Sequence, residues 1–155
     1  TTAIAQESTP GMAGMTDYPV AIHEGTCDSP VSQPAWDIDN TVPYGQGDDA
    51  EVLGTTSIAP VLETSATIDA NLDTLGNNEY VVVVHASPND FDSIVACGDI
   101  AGMKSDGRLV FALVPTTDSE VSGIAILNED SEGILGLGDD QIQVTVYLMS
   151  ENTEQ

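Results

Sequence analysis

Two histidines and two cysteines stand out in the 155-residue chain, because these four side chains could coordinate a metal or form a cross-link. His23 opens the string His23-Glu24-Gly25-Thr26-Cys27, and His85 precedes Cys97. Neutral imidazole is the commonest nitrogen ligand of copper and zinc. The cysteines suit one disulfide in an oxidising compartment, the alternative being two buried thiols. A Cys27–Cys97 bridge would set their Cα atoms about 6 Å apart and draw both histidine segments to one end of the fold. The imidazoles would then converge on a shared copper or zinc ion. The competing reading is that each imidazole ends a strand and hydrogen-bonds a loop. Two further donor sets are weaker. Met12 and Met15 are thioethers suited to Cu(I), and equally ordinary tail methionines. The carboxylates of 89–92, 128–133 and 138–140 are hard oxygen ligands of the kind calcium takes, but none has EF-hand spacing and turn chemistry accounts for them. Copper or zinc at the imidazoles is therefore plausible, with calcium at the carboxylates behind it.

The elements that must position these residues read as β. Short β-rich runs separated by turn clusters fall at 18–24, 50–58, 63–72, 79–86, 93–101, 107–114, 120–127 and 141–149, the spacing of a sandwich or barrel. Ile142, Val144, Val146 and Leu148 alternate with polar residues, as do Ala66, Ile68, Ala70 and Leu72, which predicts half-buried antiparallel sheet. Tyr80 to Val84 is apolar on both faces and is expected to lie deep. No segment keeps a helical apolar stripe for three turns. The expectation is an all-β, eight-stranded sandwich over 18–150, with an N-terminal arm at 1–17 and a polar tail at 151–155. The long connection 28–49, with Pro30, Pro34, Pro43 and Trp36, reads as a functional loop or one packed on itself.

Composition narrows the partners. Two Lys and Arg against 26 Asp and Glu give a net charge of −24 and a pI near 4.1. Lys104 and Arg108 cannot neutralise a phosphate backbone or an anionic membrane surface, so nucleic acid is excluded. A hydrophobic content of 41% and a mean hydropathy of −0.01 still provide a core. No apolar run approaches the ~18 residues of a membrane helix. A start at Thr1 fits removal of an export signal, and equally simple trimming. An extracellular or cell-surface location is expected.

The strings AIHEGTC (21–27), VVHASPNDF (83–91) and ACGDI (96–100), in that order, resemble the copper/zinc superoxide dismutase family. There a His-x-His-Glu segment precedes the first disulfide cysteine, a Val-Val-His segment carries another copper ligand, and an Ala-Cys-Gly segment supplies the second cysteine. The likeness covers roughly residues 18–101 and implies a Greek-key sandwich with Cys27 joined to Cys97. The ends differ: the family places three strands before the His-x-His segment, whereas here three follow Gly102. A circular permutation is implied, with the strand at 141–149 beside the one at Tyr18 or across the sandwich from it. Residue by residue, His23 and His85 match copper ligands, but the first His of His-x-His is Ala21. No zinc site is evident, since 28–49 holds no His and only Asp48 or Asp49 could stand for the family's zinc Asp. The arginine that attracts superoxide is Ile94 here. A chain of charge −24 lacking it would repel an anionic substrate.

Two functions from different classes follow. One is a secreted, noncatalytic copper-binding module using His23, His85 and Glu24. The alternative is a structural or self-assembling cell-surface subunit, its arm adding to a neighbour's sheet edge to form homo-oligomers or filaments. A hydrolase is the weakest reading: no nucleophile elbow, zincin motif or P-loop is present.

Overall fold

The computed structural model describes residues 17–45, 51, 53, 54, 61–130 and 141–150. Nine antiparallel strands form one curled sheet: β1 Pro19–Thr26, β2 Ser29–Asn40, β3 Val42–Pro43, β4 Val61–Ile68, β5 Tyr80–Ser87, β6 Asp90–Asp99, β7 Arg108–Pro115, β8 Val121–Asp130 and β9 Gln141–Ser150. Their order is β2-β1-β5-β6-β7-β8-β9-β4-β3. The two outermost strands, β2 and β3, are separated in the chain by Thr41 alone, so the sheet curls until its edges meet at that residue. Thr41 is buried and ties down the start of β1: its N–H donates to the Tyr18 carbonyl at 3.0 Å, and its Oγ1 accepts from the Tyr18 N–H at 3.1 Å.

Alternation builds the core. Ile142, Val144, Val146 and Leu148 of β9 are fully buried, together with Val20 and Ile22 of β1, Val82 and Val84 of β5, and Ala125 and Leu127 of β8. β9 is hydrogen-bonded to β4 and β8 and β1 to β2 and β5. The strand at 141–150 therefore does not lie beside the first strand; the two meet only through this shared core. Of the run Tyr80–Val84, the four valines are buried on both faces, because Val81 and Val83 join a second apolar cluster with Cys97 on the reverse of the sheet; Tyr80 is half-buried.

Three expectations are corrected. The connection 28–49 is not a loop over most of its length, since Ser29–Asn40 is a 12-residue strand. Prolines disguise it as a loop, yet among the described residues β2 pairs on one side only, where a residue without an N–H is tolerated; Pro34, Trp36 and Ile38 turn inward while their neighbours are exposed. The run 63–72 does not stay extended to Leu72. Asn71 caps a short helix, α1 Leu72–Asn77, its Oδ1 accepting from the Thr74 N–H at 2.7 Å, as short polar side chains do at helix starts. Leu72 and Leu75 then enter the core from the helix. The strand count also differs: β2 and β3 join seven of the eight expected strands. The strand expected at 50–58, the arm at 1–17 except Asp17, and the tail at 151–155 lie outside the described residues, apart from 51, 53 and 54, which are not in a strand. No helix among the described residues is long and apolar enough to cross a membrane.

Candidate metal centre

Cys27 and Cys97 form a disulfide with Cα atoms 5.8 Å apart. It fastens the β1–β2 turn to β6 on the reverse of the sheet, where Val81, Val83 and Ile94 pack around it. The turn itself needs Gly25, whose φ of +109° and close approach to the Ser29 carbonyl leave no room for a Cβ. The Cys27 N–H donates to Asp99 Oδ1 at 2.8 Å.

On this face the imidazoles of His23 and His85 meet. Their Nε2 atoms are 3.3 Å apart, and each residue is 3% exposed. The register shows how they reach one another. His23 is opposite Val81, and Val81, Val83 and His85 follow at every second position of β5. The histidines thus share one face of neighbouring strands with a single row between theirs, and their rings lean toward each other across it. That row runs Asp37, Ala21, Val83, Cys97 across four strands. The small Ala21 leaves space for the rings to approach.

Both imidazoles are aimed by the same backbone device. Between the pairs His23↔Pro34 and Gly25↔Pro30, one residue of β1 faces three of β2, 31–33. Between His85↔Ile94 and Ser87↔Asp90, one residue of β5 faces three of β6, 91–93. Such bulges interrupt the ladder and redirect side chains. In each case the first surplus residue turns its carbonyl to the imidazole: His23 Nδ1–H donates to Val31 O at 2.6 Å and His85 Nδ1–H to Phe91 O at 2.8 Å. A carbonyl only accepts, so both Nδ1 atoms carry the hydrogen and, in the neutral rings, both Nε2 atoms present lone pairs. The Phe91 ring packs on His85 with centroids 5.1 Å apart.

Two lone pairs facing each other in a buried site repel unless one cation lies between them, a proton or a metal ion. The arrangement fits a metal on three counts. The donors are the preferred tautomer, each fixed by an outer hydrogen bond as ligating histidines usually are. The 3.3 Å separation is close to the edge of a tetrahedron of nitrogens about 2.0–2.1 Å from a shared ion. Burial, the largest influence on His85, holds its pKa below the ordinary 6.5; the hydrogen bond to Phe91 opposes this, His23 lowers it further, and Asp37 opposes it. The free ligand form therefore persists to lower pH.

Not every expected ligand joins the pair. Glu24 is exposed and, one residue after His23 on β1, projects to the other face by strand alternation. Among the described residues no three His, Cys, Asp or Glu side chains form a metal-binding group. Asp37, which no sequence motif marks, is the carboxylate whose charge reaches His85; its place opposite Ala21 follows from the β1–β2 pairing. Asp90 and Asp92 lie on β6, with the Asp90 carboxylate accepting from the Ser93 N–H at 3.1 Å, an ordinary turn contact. Met12, Met15, the acidic residues 138–140 and residues 131–133 fall outside the described residues. Compared with known proteins, the chain matches no family model, no curated sequence and no solved structure.

Proposed function

We propose that this chain is an exported, noncatalytic copper-binding module, built as a permuted Greek-key sandwich resembling copper/zinc superoxide dismutase. The observation that carries this reading is the buried 3.3 Å approach of two Nε2 atoms whose Nδ1 hydrogens are both committed to carbonyls. His23 and His85 would hold the ion. A bound copper supplies one-electron chemistry, but with two protein nitrogens and no cationic funnel the site suits capture or delivery more than turnover. The disulfide is consistent with an oxidising location. The resemblance gains support from the strands that follow the Ala-Cys-Gly segment: β7, β8 and β9 continue the sheet from β6 and line the same core as β1, as stand-ins for the family's first three strands would.

Copper titration of chelator-stripped protein tests the reading, with electron paramagnetic resonance for Cu(II), a competition assay for Cu(I) and His85→Ala as control. Stoichiometric binding with nitrogen hyperfine structure, lost in the variant, is the expected result. Weak, nonstoichiometric binding that survives the variant would assign the copper to surface carboxylates and shift the reading to a structural subunit. Superoxide turnover above that of free copper at matched metal would overturn the noncatalytic assignment.

A further inference from the structure

Where the curled sheet closes on itself, β2 and β4 come into contact without pairing among the described residues, and a cavity of about 400 Å³ opens beside Thr41. Three carboxylates line it from three segments: Asp17 from ahead of β1, Asp39 from the end of β2 and Glu63 from β4. No cationic side chain stands among its described lining, to which Val42 adds an apolar patch and Ser65 a hydroxyl. Strand β4 supplies a second, independent observation. Its inward row is Leu62, Thr64, Ala66 and Ile68, so a threonine takes a place where alternation calls for an apolar residue. Thr64 is 6% exposed, and its hydroxyl has no hydrogen-bond partner among the described residues. Fully enclosed side-chain oxygens of those residues are all paired, so this hydroxyl opens into the cavity that Thr64 lines. A hydroxyl buried to this degree ordinarily has a partner, and the cavity is the direction from which one can come.

We infer that this cavity binds a linear aliphatic polyamine, a cation whose ammonium groups are spaced along a methylene chain. Carboxylates and hydroxyls accept, and an ammonium group only donates. A bare divalent ion suits the geometry poorly, since calcium gathers about six to eight oxygens at about 2.3–2.6 Å, whereas among the described residues no three carboxylates come together to hold an ion. The volume argues the same way: about 400 Å³ is the share of ~13 waters, far more than one ion fills. Charges set apart around a roomy opening match a cation whose charges are also set apart. With one ammonium group at Thr64, the others reach the carboxylates and the methylenes between them lie against Val42. A net charge of −24 draws polycations toward the chain from every side; the Thr64 hydroxyl and the three surrounding carboxylates decide where one stays.

Calorimetric titration of the full, chelator-stripped chain with spermidine tests this at about 0.15 M NaCl, where a screening length of ~8 Å mutes diffuse attraction. One saturable equivalent is the expected result. Thr64→Val keeps the side chain's shape and removes the hydroxyl; it is expected to weaken binding about tenfold or more, the scale of one hydrogen bond to a charged group. Thr64→Ser, which keeps the hydroxyl, is expected to bind within about threefold of the parent. Glu63→Gln is expected to weaken binding about fivefold, whereas Asp118→Asn, which removes the same charge from the turn between β7 and β8, changes it less than about twofold. Should Thr64→Val fail to fold, the contrast between Glu63→Gln and Asp118→Asn decides. Parent-like binding in a folded Thr64→Val, or equal effects of Glu63→Gln and Asp118→Asn, would overturn the proposal by assigning spermidine to the general surface charge. So would calcium chloride binding as one tight equivalent where spermidine does not.

Discussion

The curled sheet has two outward faces. Over β1, β5 and β6 it is buried and carries both histidines and the disulfide; over β7, β8, β9 and β4 it is exposed, and its centre lacks charged side chains among the described residues. The alternation of strands is the same on both sides, so the difference lies in where the ladder is irregular. β8 and β9 pair over ten consecutive positions without a shift, whereas the β1–β2 and β5–β6 ladders are broken at each histidine. Regular pairing makes a smooth surface, and broken pairing makes free carbonyls and re-aimed side chains suited to chemistry.

The comparison is broken most severely by replacing both cysteines with alanine. The bridge closes a loop of 70 residues, and its loss is expected to cost roughly 4 kcal/mol in the chain-entropy model, read by denaturant unfolding. Copper affinity at the proposed His23–His85 site should fall in parallel while the regular face keeps its structure. His85→Ala comes next: copper affinity is expected to drop about 100-fold or more as a two-nitrogen site becomes a one-nitrogen site, measured by competition titration. Acid separates the faces too. His85 takes up its proton less readily in the fold than in the unfolded chain, so unfolding binds a proton below the ordinary 6.5. Stability is therefore expected to fall as pH drops below that value, with no His85 contribution above it. Thermal melts should show a shallower fall in His85→Gln.

Two smaller changes sharpen the site. Ala21→Leu would fill the space across which His23 and His85 approach and is expected to lower affinity for Cu(II) about tenfold, or ~1.4 kcal/mol, read by competition titration. Asp37→Asn should lower the His85 pKa slightly, since that carboxylate favours the protonated ring. Imidazole titration by NMR would show it; an upward movement would contradict the placement of Asp37.

How far the sequence discloses all this depends on which atoms carry the information. β9 is legible because Ile142, Val144, Val146 and Leu148 alternate without interruption, and the imidazole pair because the Cys27–Cys97 bridge brings His23 and His85 together. Helix α1 is hidden because the apolar rhythm of Ala66, Ile68 and Ala70 runs on to Leu72, although Asn71 ahead of Asp73 is a start signal. β2 is hidden by Pro30 and Pro34, which report an edge strand only once its unpaired side is known. Least visible are the acceptors that orient the two rings. Val31 and Phe91 act through their carbonyls, and a carbonyl is the same in every residue.

That last feature bears on how such a site would change over generations. A ring oriented by a neighbouring side chain is lost when one codon changes, but rings oriented by main-chain oxygens tolerate any substitution at 31 or 91 that keeps the backbone path. What would undo them is a change of length, a residue gained or lost between Gly25 and Pro34 or between His85 and Ile94. In descendants of this chain the imidazole pair should thus survive extensive sequence drift and disappear abruptly with a small insertion or deletion in either hairpin.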